Sequence, residues 1–165
     1  MRISFLHLSD FHLNDSKGIH PAKIQAIVDS LGVYAPFEGI VIVLSGDIAA
    51  TGQTNQYKIA ATLLKRLVPQ LKIKYSLNQK NIKILMVPGN HDIDWGGKSR
   101  LDSSKIRSFN EDERDLHFQQ ELKCMKSFFS FSDRNGCFFP CWMNIPFGQL
   151  VTRKILHFDN GYRIE

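Results

Sequence analysis

The run Gly39-Ile40-Val41-Ile42-Val43-Leu44 constrains this 165-residue chain more than any other stretch. It is the longest apolar run, and it falls far short of the roughly 20 residues that cross a bilayer. Its residues 40–44 are all β-branched or aliphatic, with no polar alternation. Such runs belong to strands buried on both faces, as in parallel sheets. The flanking segments agree. Residues 3–8 (Ile-Ser-Phe-Leu-His-Leu) and 82–87 (Ile-Lys-Ile-Leu-Met-Val) read as two further strands. Between the first two strands, residues 22–33 place Ile24, Ile27, Val28 and Leu31 on one helical face, with Pro21 suited to the first turn. Between the second and third, a helix capped by Thr54 or Asn55 carries Tyr57, Ala60, Ala61, Leu64, Leu67 and Val68 on one face, and Pro69 lies near its end. The order β-α-β-α-β predicts a parallel core with helical crossovers.

Beyond residue 92 the pattern changes. Residues 94–110 are rich in Gly, Ser and charge and read as a loop. Residues 111–131 read as a helix, and 132–148 mix Gly, Pro and aromatics irregularly. Residues 150–158 read as a strand. Asp159-Asn160-Gly161 suits a hairpin turn and Tyr162 opens a returning strand. A chain that ends four residues into such a strand reads as part of a longer protein or as an independently ending half. The expected organisation is one domain over residues 1–165, with an insertion or lid at about 94–148.

Composition narrows the class. A hydrophobic fraction of 43% and twelve Phe supply enough apolar surface for a core. Three cysteines, Cys124, Cys137 and Cys141, are too few and too oddly spaced for a disulfide framework or a structural zinc. They read as packed thiols. The start Met1-Arg2-Ile3-Ser4-Phe5 has no leader pattern, which points to the cytoplasm and away from a membrane. The net charge of +5 admits an anionic partner, including nucleic acid. The cations are widely spread, and a solvated surface is their simpler reading.

Each early strand ends in polar residues: Ser9-Asp10-Phe11-His12, Ser45-Gly46-Asp47 and Pro88-Gly89-Asn90-His91-Asp92. In an open parallel sheet these carboxyl ends lie side by side, where ligands bind. Asp10, His12, Asp47, Asn90, His91 and Asp92 should therefore converge. Carboxylates so gathered repel one another by about 4 kcal/mol per pair at 4 Å in an effective dielectric near 20. A divalent cation relieves that. Carboxylate, amide oxygen and neutral imidazole suit manganese, iron or zinc. Gly46 and Gly89 allow tight turns and close backbone approach just before the ligands.

Together, Asp10-x-His12, Gly46-Asp47 and Gly89-Asn90-His91-Asp92 resemble the first three motifs of the calcineurin-like metallophosphoesterases. The segment Gly46-Asp47-Ile48-Ala49-Ala50-Thr51-Gly52, followed by Tyr57, is similar to the bacterial branch of that family. The resemblance implies an α/β fold with a β-sandwich flanked by helices, incomplete in this chain, and hydrolysis of a phosphomonoester or phosphodiester by a water activated between two divalent ions. Asp10 and His12 would bind the first ion, Asp47 would bridge both, and Asn90 would bind the second. His91 would not be a direct ligand but would protonate the leaving oxygen or stabilise the transition state, and Asp92 would orient His91. The family completes its site with later histidines, including a Gly-His-x-His pair. Here only His117 and His157 follow His91, and neither has ligand context. The competing expectation is therefore a metal-free member of the same fold that binds other proteins. Of the remaining residues, His7 reads as a sheet histidine, His20 as a loop residue that could face substrate, Asn14 and Asp15 as turn formers, and Trp95 as packing.

Overall fold

The aliphatic run forms the middle strand of a parallel sheet. The structure, a computed structural model, describes residues 2–14, 19–96, 108–135, 156–159, 161 and 163–164. Strands β1 (Ile3–Leu8), β2 (Gly39–Ser45) and β3 (Ile82–Val87) lie in the order β1-β2-β3, all parallel. Leu8 pairs with Leu44, and Leu44 with Met86, so the three strands finish level. That level finish puts their polar tails side by side.

Helices α1 (Pro21–Ser30) and α2 (Thr54–Lys74) bury Ile24, Val28, Leu63, Leu64 and Leu67 in one core with Leu6, Ile40, Ile42 and Leu44 of the sheet. Each such side chain contributes about 1.5–3 kcal/mol when fully buried. Pro21 opens α1, and the His20 ring accepts a hydrogen bond from the Ala22 amide at 3.2 Å. His20 is thus a helix cap here. α1 stops at Ser30 and tightens into a 3-10 turn, Leu31–Tyr34, rather than running evenly to residue 33.

α2 departs from expectation at both ends. Its cap is Gln53, without a side-chain bond. The turn before it is instead closed by the buried Gln56, which accepts from the Thr51 amide at 3.0 Å and donates to the Thr51 hydroxyl at 2.9 Å. Pro69 sits inside the helix, which continues to Lys74. A proline costs about 3 kcal/mol in a helix interior. Burial of Leu67, Val68 and Leu71 around it offsets that.

The predicted helix over 111–131 is two helices. α3 (Glu111–Cys124) starts from an Asn110–Glu113 capping box with bonds of 2.8 and 2.9 Å, and the chain breaks at Met125 before α4 (Lys126–Arg134). The break turns Phe128 and Phe131 into the main core, beside Tyr57. The opposite face of the sheet carries Val41 beneath Leu156 and Phe158. These belong to a hairpin of β4 (Leu156–His157) and β5 (Arg163–Ile164), antiparallel as expected, with Gly161 at φ 75° in its turn. Among the described residues this hairpin is the second sheet of the expected sandwich. The expected strand residues 150–155, most of the 94–110 loop, Cys137, Cys141 and Asp15 lie outside the described residues. Among those described, no helix is long and apolar enough to cross a membrane.

Candidate metal centre

Beyond the level strand ends, the three polar tails are stitched together by backbone bonds. The amides of Asp10, His12 and Leu13 donate to the carbonyls of Gly46, Asp47 and Ile48 at 3.0–3.3 Å. The sheet pairing thus continues past β1 and β2 while the chain turns. Asp10, His12 and Asp47 have φ of 57°, 44° and 51°, and they are three of the four non-glycine residues with positive φ among those described. Left-handed backbone at such residues costs on the order of 1–3 kcal/mol each and persists where the surroundings enforce it.

The result is a convergence. Single ligand atoms of His12, Asp47 and His91 all lie within 4.8 Å of one another. The His12 and His91 rings meet edge to face with centroids 4.6 Å apart. Asp10 stands beside this group, with Oδ1 3.9 Å from His12 Nε2 and its other oxygen accepting from the Ser9 hydroxyl. Asn90 opens the short turn Asn90–Asp92 and is exposed next to His91. Two imidazoles and a carboxylate, flanked by another carboxylate, are a donor set that fits manganese, iron or zinc. His91, not expected as a direct ligand, shares the cluster with the expected ligands. His117 faces Glu121 one turn along α3, and His157 is exposed on β4. Neither belongs to the cluster.

His91 is held from two sides. Its amide donates to Asp47 Oδ1 at 2.9 Å, and its Nδ1 lies 2.9 Å from the Ala50 carbonyl. A carbonyl only accepts, so Nδ1 carries the proton and Nε2 is the nitrogen left for a ligand. The orienting group for the ring is therefore the Ala50 carbonyl. This corrects the expectation for Asp92, whose carboxylate is fully buried and engaged elsewhere. It accepts from the amides of Ile48 (3.2 Å), Ala49 (2.9 Å) and Gly89 (2.9 Å) and from the Tyr57 hydroxyl (2.8 Å). Asp92 thus ties the Gly46–Ala50 turn to the turn carrying His91. Burial pushes the Tyr57 phenol pKa well above 10, and the charge of Asp92 pushes it further.

The approach of the two turns explains Gly89. A Cβ there would sit 2.2 Å from Asp47 Oδ1 and 2.4 Å from its amide nitrogen. Gly46, at φ 89°, supplies the turn itself. The sequence flagged both glycines. It did not flag Tyr57 as a hydrogen-bond donor or the Ala50 carbonyl as a ring holder. The Tyr57 spacing after Gly46-Asp47 was visible, but a backbone carbonyl leaves no trace in residue type.

Comparison with curated proteins and with solved structures gave no match. A family model described as calcineurin-like phosphoesterase matches residues 3–162.

Proposed function

The chain belongs to the calcineurin-like phosphoesterase family, and from that premise we propose that it hydrolyses phosphate esters at the His12–Asp47–His91 cluster with two divalent ions. The observation that carries the reading is the convergence of these three side chains, from three separate strand ends, within 4.8 Å. The strained backbone at Asp10, His12 and Asp47 supports it, because a loop with no ligand to hold has no use for that strain.

We assign Asp10 and His12 to one ion, Asp47 to both and Asn90 to the other. Manganese, iron and zinc all suit the set. Bound there, the ions would supply the positive charge that makes water a nucleophile near neutral pH and offsets the charge of the phosphoryl oxygens. Asp47 Oδ1 is already engaged by the His91 amide, which fixes the carboxylate's orientation. His91 keeps its Nδ1 proton on Ala50 and offers Nε2 to the substrate. When Nε2 is protonated, it can donate that proton to the departing oxygen, a step that contributes typically 10²–10⁴-fold. Asp92 acts through the backbone, fixing the spacing between the Asp47 and His91 turns.

The test is metal analysis together with hydrolysis of a chromogenic bis-phosphoester and a monoester. Metal-dependent turnover that falls at least 100-fold in Asp47→Asn is expected. In His91→Gln, metal content should hold while kcat falls. Loss of metal instead would make His91 a ligand. A folded protein that takes up no metal and turns over neither ester would overturn the proposal in favour of a protein-binding scaffold.

A further inference from the structure

A cleft of about 760 Å³ runs between α2 and α4, away from the metal cluster. One wall carries Lys58 and Lys65 of α2, and the other carries Lys126 and Arg134 of α4. All four are exposed, and none forms an ion pair among the described residues. The lining includes no carboxylate. Between the cations lies the Ser130 hydroxyl, while the Thr62 hydroxyl and the Asn135 amide donate to the Lys58 and Phe131 carbonyls at 2.9 and 2.7 Å. Ammonium, guanidinium and hydroxyl are donors that proteins direct at phosphate and sugar. At 1.5 Å per residue, the cations are spaced about 10 Å apart along α2 and about 12 Å apart along α4.

The aromatic residues of the lining, Tyr57 and Phe131, are buried in the floor, so the cleft has no anchor pocket of the kind a peptide fills. A flat lipid surface does not enter a concavity. The two helices pack directly against each other, so the cleft is a surface groove of small-ligand volume, which suits a few nucleotides of one strand rather than a duplex. The end of the cleft at Thr54 is four residues from Ala50, whose carbonyl holds His91. Chain geometry keeps their Cα atoms within about 15 Å.

We propose that this cleft seats the phosphate backbone of a single-stranded nucleic acid and leads it towards the loops that carry Asp47 and His91. The inference deepens the phosphoesterase reading and rests on it for the strand's destination. The binding itself does not require turnover, so the two can fail separately.

The experiment is fluorescence anisotropy of a labelled mixed-sequence 12-mer single strand against the full chain in EDTA, across a salt series. The variant Lys58→Gln/Lys65→Gln/Arg134→Gln is set against Lys23→Gln/Lys72→Gln/Lys80→Gln, which removes the same charge elsewhere. The cleft variant should bind at least tenfold more weakly, with its salt slope reduced by about 2, as three lost phosphate contacts imply. The control variant should change affinity less than threefold. Equal losses in both variants, no binding by the wild type at low salt, or equal competition by polyglutamate or anionic vesicles would each overturn the proposal. Hydrolysis of the small chromogenic ester by the wild type separately decides the catalytic reading.

Discussion

The two sides of the metal cluster are built on different principles. The side carrying Asp47 and His91 is organised from within by the buried carboxylate of Asp92, which gathers three amides and a phenol. The side carrying Asp10 and His12 hangs on backbone bonds to the neighbouring turn, and the Asp10 side chain is 67% exposed. One half is preorganised before any ion arrives. The other keeps side chains that can adjust as an ion is captured. The same residue type does opposite work in the two halves: Asp92 is structural because four donors saturate it, while Asp10 remains available.

The contrast is broken most directly at Asp92. Asp92→Ala leaves four buried donors without their acceptor, at about 1–3 kcal/mol for each group left unsatisfied. Partial relaxation brings the expected loss to about 4 kcal/mol in urea unfolding. Next is Gly89→Ala, whose methyl would overlap Asp47. It should cost about 3 kcal/mol, at the upper end of overpacking, and lower metal affinity with it. Tyr57→Phe removes one hydrogen bond to a charged group and should cost about 1.5 kcal/mol near neutral pH.

Tyr57→Phe also sharpens the contrast through pH. The folded pKa of Tyr57 lies above its ordinary 10.0, so the folded phenol stays protonated where the unfolded chain ionises. Its contribution is complete below about pH 10 and is lost as the pH rises towards the folded value. Denaturation at pH 9 and pH 11 should show this alkaline loss in the wild type and a smaller one in the variant. The smallest stability effect is expected for Asp10→Asn, within about 0.5 kcal/mol as for other exposed positions. Its metal affinity should nonetheless fall at least tenfold by titration. If Asp10→Asn destabilised the free protein as much as Asp92→Ala, the two halves would not differ.

Much of this was legible in the sequence, where side-chain periodicity or residue type carries the information. The three strands and the crossover helices follow from apolar spacing, and the terminal hairpin from its Asp159-Asn160-Gly161 turn. The gathering of His12, Asp47 and His91 follows from polar tails on strands that end together. Other features depend on context. Pro69 stays inside α2 because the buried face on both sides of it outweighs the missing amide. The break at Met125 has no glycine or proline to announce it and follows from the need to bury Phe128 and Phe131. The partner of Asp92 could not be read, because a carboxylate binds an imidazole or a row of amides equally well, and only the tertiary approach of two turns decides which.

The left-handed backbone at Asp10, His12 and Asp47 narrows the ways in which this cluster can be lost. Any replacement must satisfy handedness as well as chemistry. Asparagine and glycine tolerate that conformation, whereas valine or isoleucine would add strain to the missing ligand. An eroded descendant of this chain should therefore carry Asn or Gly at these positions, and would keep the shape of the loops long after the capacity to hold a metal was gone.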